Sequence, residues 1–144
     1  MNQAFFSRLL DEATRPYRAG GRFAYGFARG KLAGDNIFRE LLQRGIFGAG
    51  GRFLDLGCGQ AVFASWLLAA RRLFERGDWP ADWPEPPRVA ELRGIELMAK
   101  DVARARAVFA ADDATVRIAQ GDICDADFGS ADVVTILDVL QYID

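Results

Sequence analysis

Phe53-Leu54-Asp55-Leu56-Gly57-Cys58-Gly59-Gln60-Ala61 is the stretch on which the reading of this chain turns. Arg52 to Leu56 is short and mostly apolar, as a buried strand requires. Two glycines follow at once, and Ala61-Val62-Phe63-Ala64-Ser65-Trp66-Leu67-Leu68-Ala69-Ala70 then has helical composition, extending through Glu75. A strand that enters a helix through Gly57 and Gly59 makes a turn in which positive φ is free and a ligand can approach the backbone closely. The unpaired N–H groups and partial positive charge of the helix start favour a carboxylate or phosphate there.

Downstream, the pattern repeats. Residues 77–91 hold Gly77, four prolines and two tryptophans, and read as a surface excursion. Leu92-Arg93-Gly94-Ile95-Glu96 reads as a second strand, and Met98–Ala111 as a helix with Val102, Ala105, Val108 and Phe109 on one face. Thr115-Val116-Arg117-Ile118-Ala119 alternates and is β-branched, a third strand. Gly121–Ser130 is an Asp-rich loop, and Ala131–Leu137 is a fourth strand apolar enough to be buried on both faces. Strand and helix in alternation predict an open α/β, Rossmann-like parallel sheet with right-handed crossovers and helices on both faces.

Residues 1–50 form a predicted N-terminal helical cap, and residues 51–144 the Rossmann-like domain. Phe5, Phe6, Leu9, Leu10 and Ala13 make an amphipathic helix that Pro16 ends. Residues 17–34 mix aromatics, arginines and glycines and read as a loop or short broken helix. Asp35 is placed to N-cap a second helix bearing Ile37, Phe38, Leu41 and Leu42, with Gly45 just past its end. The aromatic and basic stretch Arg22, Phe23, Tyr25, Phe27, Arg29 and Lys31 fits either of two roles. Ordinary packing of the cap is the preferred one; a lid lining an acceptor pocket is the alternative. Gly26-Phe27-Ala28-Arg29-Gly30-Lys31 is one residue short of a phosphate loop, lacks the following Ser/Thr and follows no strand, so that reading is rejected. Trp79 and Trp83 are expected to form a small cluster within a proline-stiffened loop, with a partner contact as the alternative.

Composition narrows the chemistry. Histidine is absent, which excludes His-based metal sites and triads. Cys58 and Cys124 form no CxxC pair, so neither a zinc ribbon nor a redox motif is supported, and a reducing, cytoplasmic location is expected. The 144 residues carry a net charge of −2, with residues 1–50 at +4 and residues 95–144 at −6. No strongly basic domain points to nucleic acid. The longest uncharged run, Leu56–Ala70, is too short to span a bilayer.

The dinucleotide fingerprint G-x-G-x-x-G would place its third glycine at Val62, so a nicotinamide cofactor is disfavoured. Leu54-Asp55-Leu56-Gly57-Cys58-Gly59 instead resembles the first motif of class I S-adenosylmethionine-dependent methyltransferases, with Ala61 where that family has its last glycine. Three further positions resemble the family in order. Glu96 ends the second strand, Gly121-Asp122-Ile123 follows the third, and Asp138-Val139-Leu140-Gln141-Tyr142 follows the fourth.

The resemblance implies a site for S-adenosyl-L-methionine. Asp55, Leu56, Gly57, Cys58, Gly59 and Gln60 would bind it, the amides of residues 57–60 facing its methionine part and Asp55 reaching the amino group directly or through water. Glu96 would accept from the ribose hydroxyls, Asp122 from the adenine amine, and Leu97 and Ile123, with Met98, would flank the ring. Asp138 would belong to the fourth motif. The implied activity is methyl transfer to a small-molecule or lipid-like acceptor; a cofactor-binding or degenerate module without turnover is the alternative. The family's sheet resembles seven strands ordered 3-2-1-4-5-7-6, of which only strands 3-2-1-4 are expected here. The chain therefore reads as C-terminally incomplete, or as one half of an assembly, possible as a homo-oligomer, that covers the edge at 131–137.

Overall fold

The computed structural model describes residues 3–125 and 127–137. Asp138 and the rest of the fourth-strand motif lie outside them. Four parallel strands form one sheet in the order β3-β2-β1-β4, as expected: β1 (Gly50–Leu56), β2 (Arg88–Glu96), β3 (Val116–Gln120) and β4 (Val133–Ile136). Register places Phe53 between Leu92 and Val133, and Leu92 beside Val116. Those side chains share a face by the two-residue repeat of a strand.

The helices α4 (Val62–Glu75) and α5 (Ala99–Val108) connect β1 to β2 and β2 to β3. Both crossovers run the same way along the sheet, so right-handedness puts both helices on one face. There Phe53, Leu92, Val116 and Ile118 join Trp66, Leu67 and Ala105 in the core. The N-terminal elements pack against these helices: α1 (Gln3–Thr14) and α2 (Arg22–Gly34) against α4, the 3₁₀ turn (Arg15–Gly20) between them against α5, and α3 (Asn36–Gln43) against α2. Asp35 caps α3, its side chain accepting from the Ile37 amide at 3.1 Å. Helices α1 and α4 are also joined by Glu12, which is buried yet accepts from Arg72 and Arg76 and pairs with Arg15.

Three expectations need correction. Residues 22–34 are a continuous α-helix, not a loop or broken helix. Ala24, Ala28 and Leu32 recur every four residues and are all buried, and this stripe outweighs the helix cost of Gly26 and Gly30. The second strand begins at Arg88, so the surface excursion is shorter than expected, because Arg88 and Val89 pair with Gly50 and Gly51. The third correction concerns β4. Val134 and Ile136 are 55% and 42% exposed, so β4 is covered on one face only, and among the described residues helices do not flank both faces of the sheet. The β3-to-β4 connection is a loop among the described residues. Arg93 holds it to the face opposite α4 and α5 by donating to the carbonyls of Phe128 and Ser130.

Trp79 and Trp83 pack edge-to-face at 5.6 Å, and both stand edge-on to Phe5. The expected tryptophan cluster is thus present and is anchored to α1. No helix among the described residues is long and apolar enough to cross a membrane.

Candidate functional site

A cavity of about 940 Å³ opens at the carboxyl ends of the strands, where ligands bind in open α/β sheets. Its size is near the upper end for small-molecule sites. Of the sequence-predicted residues, Asp55, Gly57, Cys58, Gly59, Gln60, Glu96, Leu97, Asp122 and Ile123 all line it. Leu56 is buried but does not line it, because its side chain alternates away from that of Asp55.

The loop after β1 is shaped by its backbone. Gly57 and Gly59 have φ of 68° and 58°, and Ala61 joins them at 62°. A left-handed alanine is strained by roughly 1–2 kcal/mol, which gives a physical reason for a glycine at this position in the family that the segment resembles. The Gly57 and Cys58 amides both donate to the Ile95 carbonyl, at 2.7 and 3.1 Å, fastening the loop to the end of β2.

Glu96 organises the same corner. Its Oε1 accepts from the Gly59 amide at 2.9 Å and its Oε2 from the Met98 amide at 2.8 Å. Each carboxylate oxygen keeps a second lone pair for a ligand hydroxyl. Asp55 is 3% exposed and accepts from the Thr135 hydroxyl at 2.9 Å. Burial pushes its carboxyl up to about 7, the Thr135 bond pulls against this, and the nearby charge of Glu96 adds to the rise. Burial likewise pushes the Cys58 thiol well up, aided by Asp55, so it is not a reactive thiolate.

Gln60 is buried, and its Oε1 has no hydrogen-bond partner among the described residues. An unpaired buried carbonyl lining a cavity is satisfied by a ligand donor or by water. Asp122 accepts from the Cys124 amide at 2.9 Å, closing the turn after β3. Leu97 and Met98 are 59% and 58% exposed on the cavity rim, where a flat apolar ring would cover them.

Several contributors were not legible in the sequence. Gly94 lies in β2 directly under the loop: a Cβ there would meet Cys58 Sγ at 2.7 Å and Ile118 Cδ1 at 2.8 Å. Only a glycine lets the loop sit this close, and the residue before Ile95 carried no signal beyond being a strand glycine. Phe38, expected in a buried stripe, and Phe63, on α4, also line the cavity, as do Phe27 and Lys31, for which ordinary packing was the preferred reading. No group of acidic or cysteine side chains fit to hold a metal ion occurs among the described residues. Comparison of the chain with protein-family models and with curated proteins finds no match.

Proposed function

We propose that this chain binds S-adenosyl-L-methionine and transfers its methyl group to a small-molecule acceptor. The observation that carries the reading is the bond from the Gly59 amide to Glu96, which brings the glycine loop after β1 and the acid ending β2 to one cavity. Asp122 and Ile123, after β3, complete the set. The acceptor set suits the cofactor. Its ammonium, ribose hydroxyls and adenine amine all need acceptors, and Asp55, Gln60 Oε1, Glu96 and Asp122 supply them. Leu97, Met98 and Ile123 supply apolar surface for a ring.

When bound, the sulfonium offers an electrophilic methyl group: an acceptor lone pair forms the new bond as the C–S bond breaks, leaving a neutral thioether. The residues of this chain position and desolvate; they need not activate the donor. A proton on the acceptor would leave to solvent or to a cavity carboxylate, since there is no imidazole.

Calorimetric titration with S-adenosylhomocysteine, the product, and separately with NAD tests the reading. Binding of the former and not the latter is expected. Binding of NAD alone would overturn it.

A further inference from the structure

Asp55 and Glu96 share one corner of the cavity but are held differently. Glu96 has a backbone amide on each carboxylate oxygen. Asp55 is buried near the end of β1 and, among the described residues, accepts one bond, from the neutral hydroxyl of Thr135 on β4. A buried carboxylate with a single neutral donor keeps its charge poorly, and two neighbouring acids push one of the pair toward its neutral form. No other group of the corner compensates. Cys58 and Tyr17 are buried and held neutral, Asp101 and Asp122 are further acids of the lining, and Lys31 is paired with Asp35 at 3.6 Å. Burial and the charge of Glu96 raise the Asp55 carboxyl to about 7. Gln60 Oε1, also buried, lines the same cavity without a partner among the described residues. A ligand group that brings both hydrogen-bond donors and positive charge satisfies this carbonyl and a charged Asp55 together.

From this corner we infer that ligand binding exchanges a proton for a cation at Asp55: the free chain holds the proton, and an ammonium group docking beside the carboxyl displaces it. The Asp55 O–H bond breaks, the proton goes to solvent, and the oxygen keeps the electron pair that accepts from the ammonium. Affinity for such a ligand is lowest in acid, where the proton must be displaced, and rises with pH to a plateau above the range in which Asp55 titrates. Identifying the ammonium as that of S-adenosyl-L-methionine rests on the methyltransferase reading; the proton on Asp55 does not.

The test has a ligand-free arm and a ligand arm, both on the full chain. With aspartate carboxyls labelled for carbon NMR, one signal that vanishes in Asp55→Asn should titrate near neutral pH. Calorimetric titration of S-adenosylhomocysteine at about pH 6, in two buffers of different ionisation enthalpy, should show close to one proton released per ligand, falling toward zero by about pH 8, with affinity rising roughly tenfold between them. Asp55→Asn should abolish both the release and the rise. Thr135→Val strips the donor that favours the charged form, so it should move the rise to higher pH without removing it. Binding with no proton released at the lower pH, a release that survives Asp55→Asn, a rise that Thr135→Val leaves in place, or no aspartate titrating near neutrality would each overturn the exchange and leave the methyltransferase reading standing. Absence of S-adenosylhomocysteine binding at either pH would sink that reading and the exchange with it.

Discussion

The hydroxyl of Tyr17 donates to the backbone carbonyl of Gln60 at 2.8 Å, joining the 3₁₀ turn of the N-terminal segment to the loop after β1. Tyr17 has no exposed surface. Two more buried bonds run beside it, from the Ser65 hydroxyl to the Ala13 carbonyl and from the Trp66 indole to the Phe38 carbonyl at 2.8 Å. The helical cap and α4 therefore share one core, and the cap braces the glycine loop from behind.

Tyr17→Phe keeps the ring and removes that brace. A buried carbonyl left without its donor costs about 1–3 kcal/mol. A urea melt should read a loss of that size. The loop should also loosen, so affinity for S-adenosylhomocysteine should fall with it. Lost stability at full affinity would mean that the brace holds the cap alone.

Glu96→Gln tests the other corner of the loop. Both carboxylate oxygens accept backbone amides, from Gly59 and Met98. A glutamine offers one acceptor, and its amide nitrogen would point a donor at one of those two donors. A hydrogen bond to a charged group is worth about 1.5–3 kcal/mol, so this near-isosteric change should weaken S-adenosylhomocysteine by roughly tenfold or more and lower the melting temperature. Unchanged affinity in a calorimetric titration would remove Glu96 from the site.

Asp55 sets a pH dependence of stability. Its carboxyl titrates at about 7 when folded, against an ordinary value of 3.8. Below that ordinary range both states hold the proton. Between there and about 7 the unfolded chain ionises and the folded chain does not, so stability falls as pH rises. The effect is on the order of a few kcal/mol. Glu12 has the opposite sign. Burial raises it, but bonds from Arg72 and Arg76 and the charge of Arg15 outweigh burial and hold it low, so its contribution is lost as pH falls through the acid range. Asp55→Asn keeps an acceptor for Thr135 and should flatten the decline in urea midpoint between pH 5 and pH 7.5. A wild-type midpoint that climbs over this interval would contradict the assignment.

How far the sequence could be read depended on whether a residue's role is local. Gly57-Cys58-Gly59 announces its turn because strand, glycines and helix adjoin, and Glu96 and Asp122 are found by following each strand to its end. Helix α2 was hidden because Gly26 and Gly30 argue locally against a helix, while the burial of Ala24, Ala28 and Leu32 that favours it depends on packing from elsewhere. The uncovered face of β4 was hidden for a related reason. Apolar composition tells that Val134 and Ile136 suit burial, not which neighbours are present to bury them. Lys31 and Phe27 reach the cavity only because α2 lies over α4, a tertiary fact that their spacing does not contain.

Gly94 offers the strictest test of how the loop is seated. An added methyl would lie 2.7 Å from Cys58 Sγ and 2.8 Å from Ile118 Cδ1, and 3.1 Å from Cys58 Cβ. Cys58 is 7% exposed, and its amide is tied to the Ile95 carbonyl, so it has little room to retreat. Overpacking of this kind costs about 1–3 kcal/mol. Gly94→Ala should therefore destabilise the chain and weaken S-adenosylhomocysteine together, because relief must come from moving the loop. Cys58→Ala removes the obstructing sulfur, and the double variant should regain part of both losses. The two substitutions touch one another, so their effects should be non-additive by 0.5 kcal/mol or more, on the scale of about 0.5–3 kcal/mol seen for residues in contact. Strict additivity in urea melts of the four proteins would place the strain on Ile118 instead.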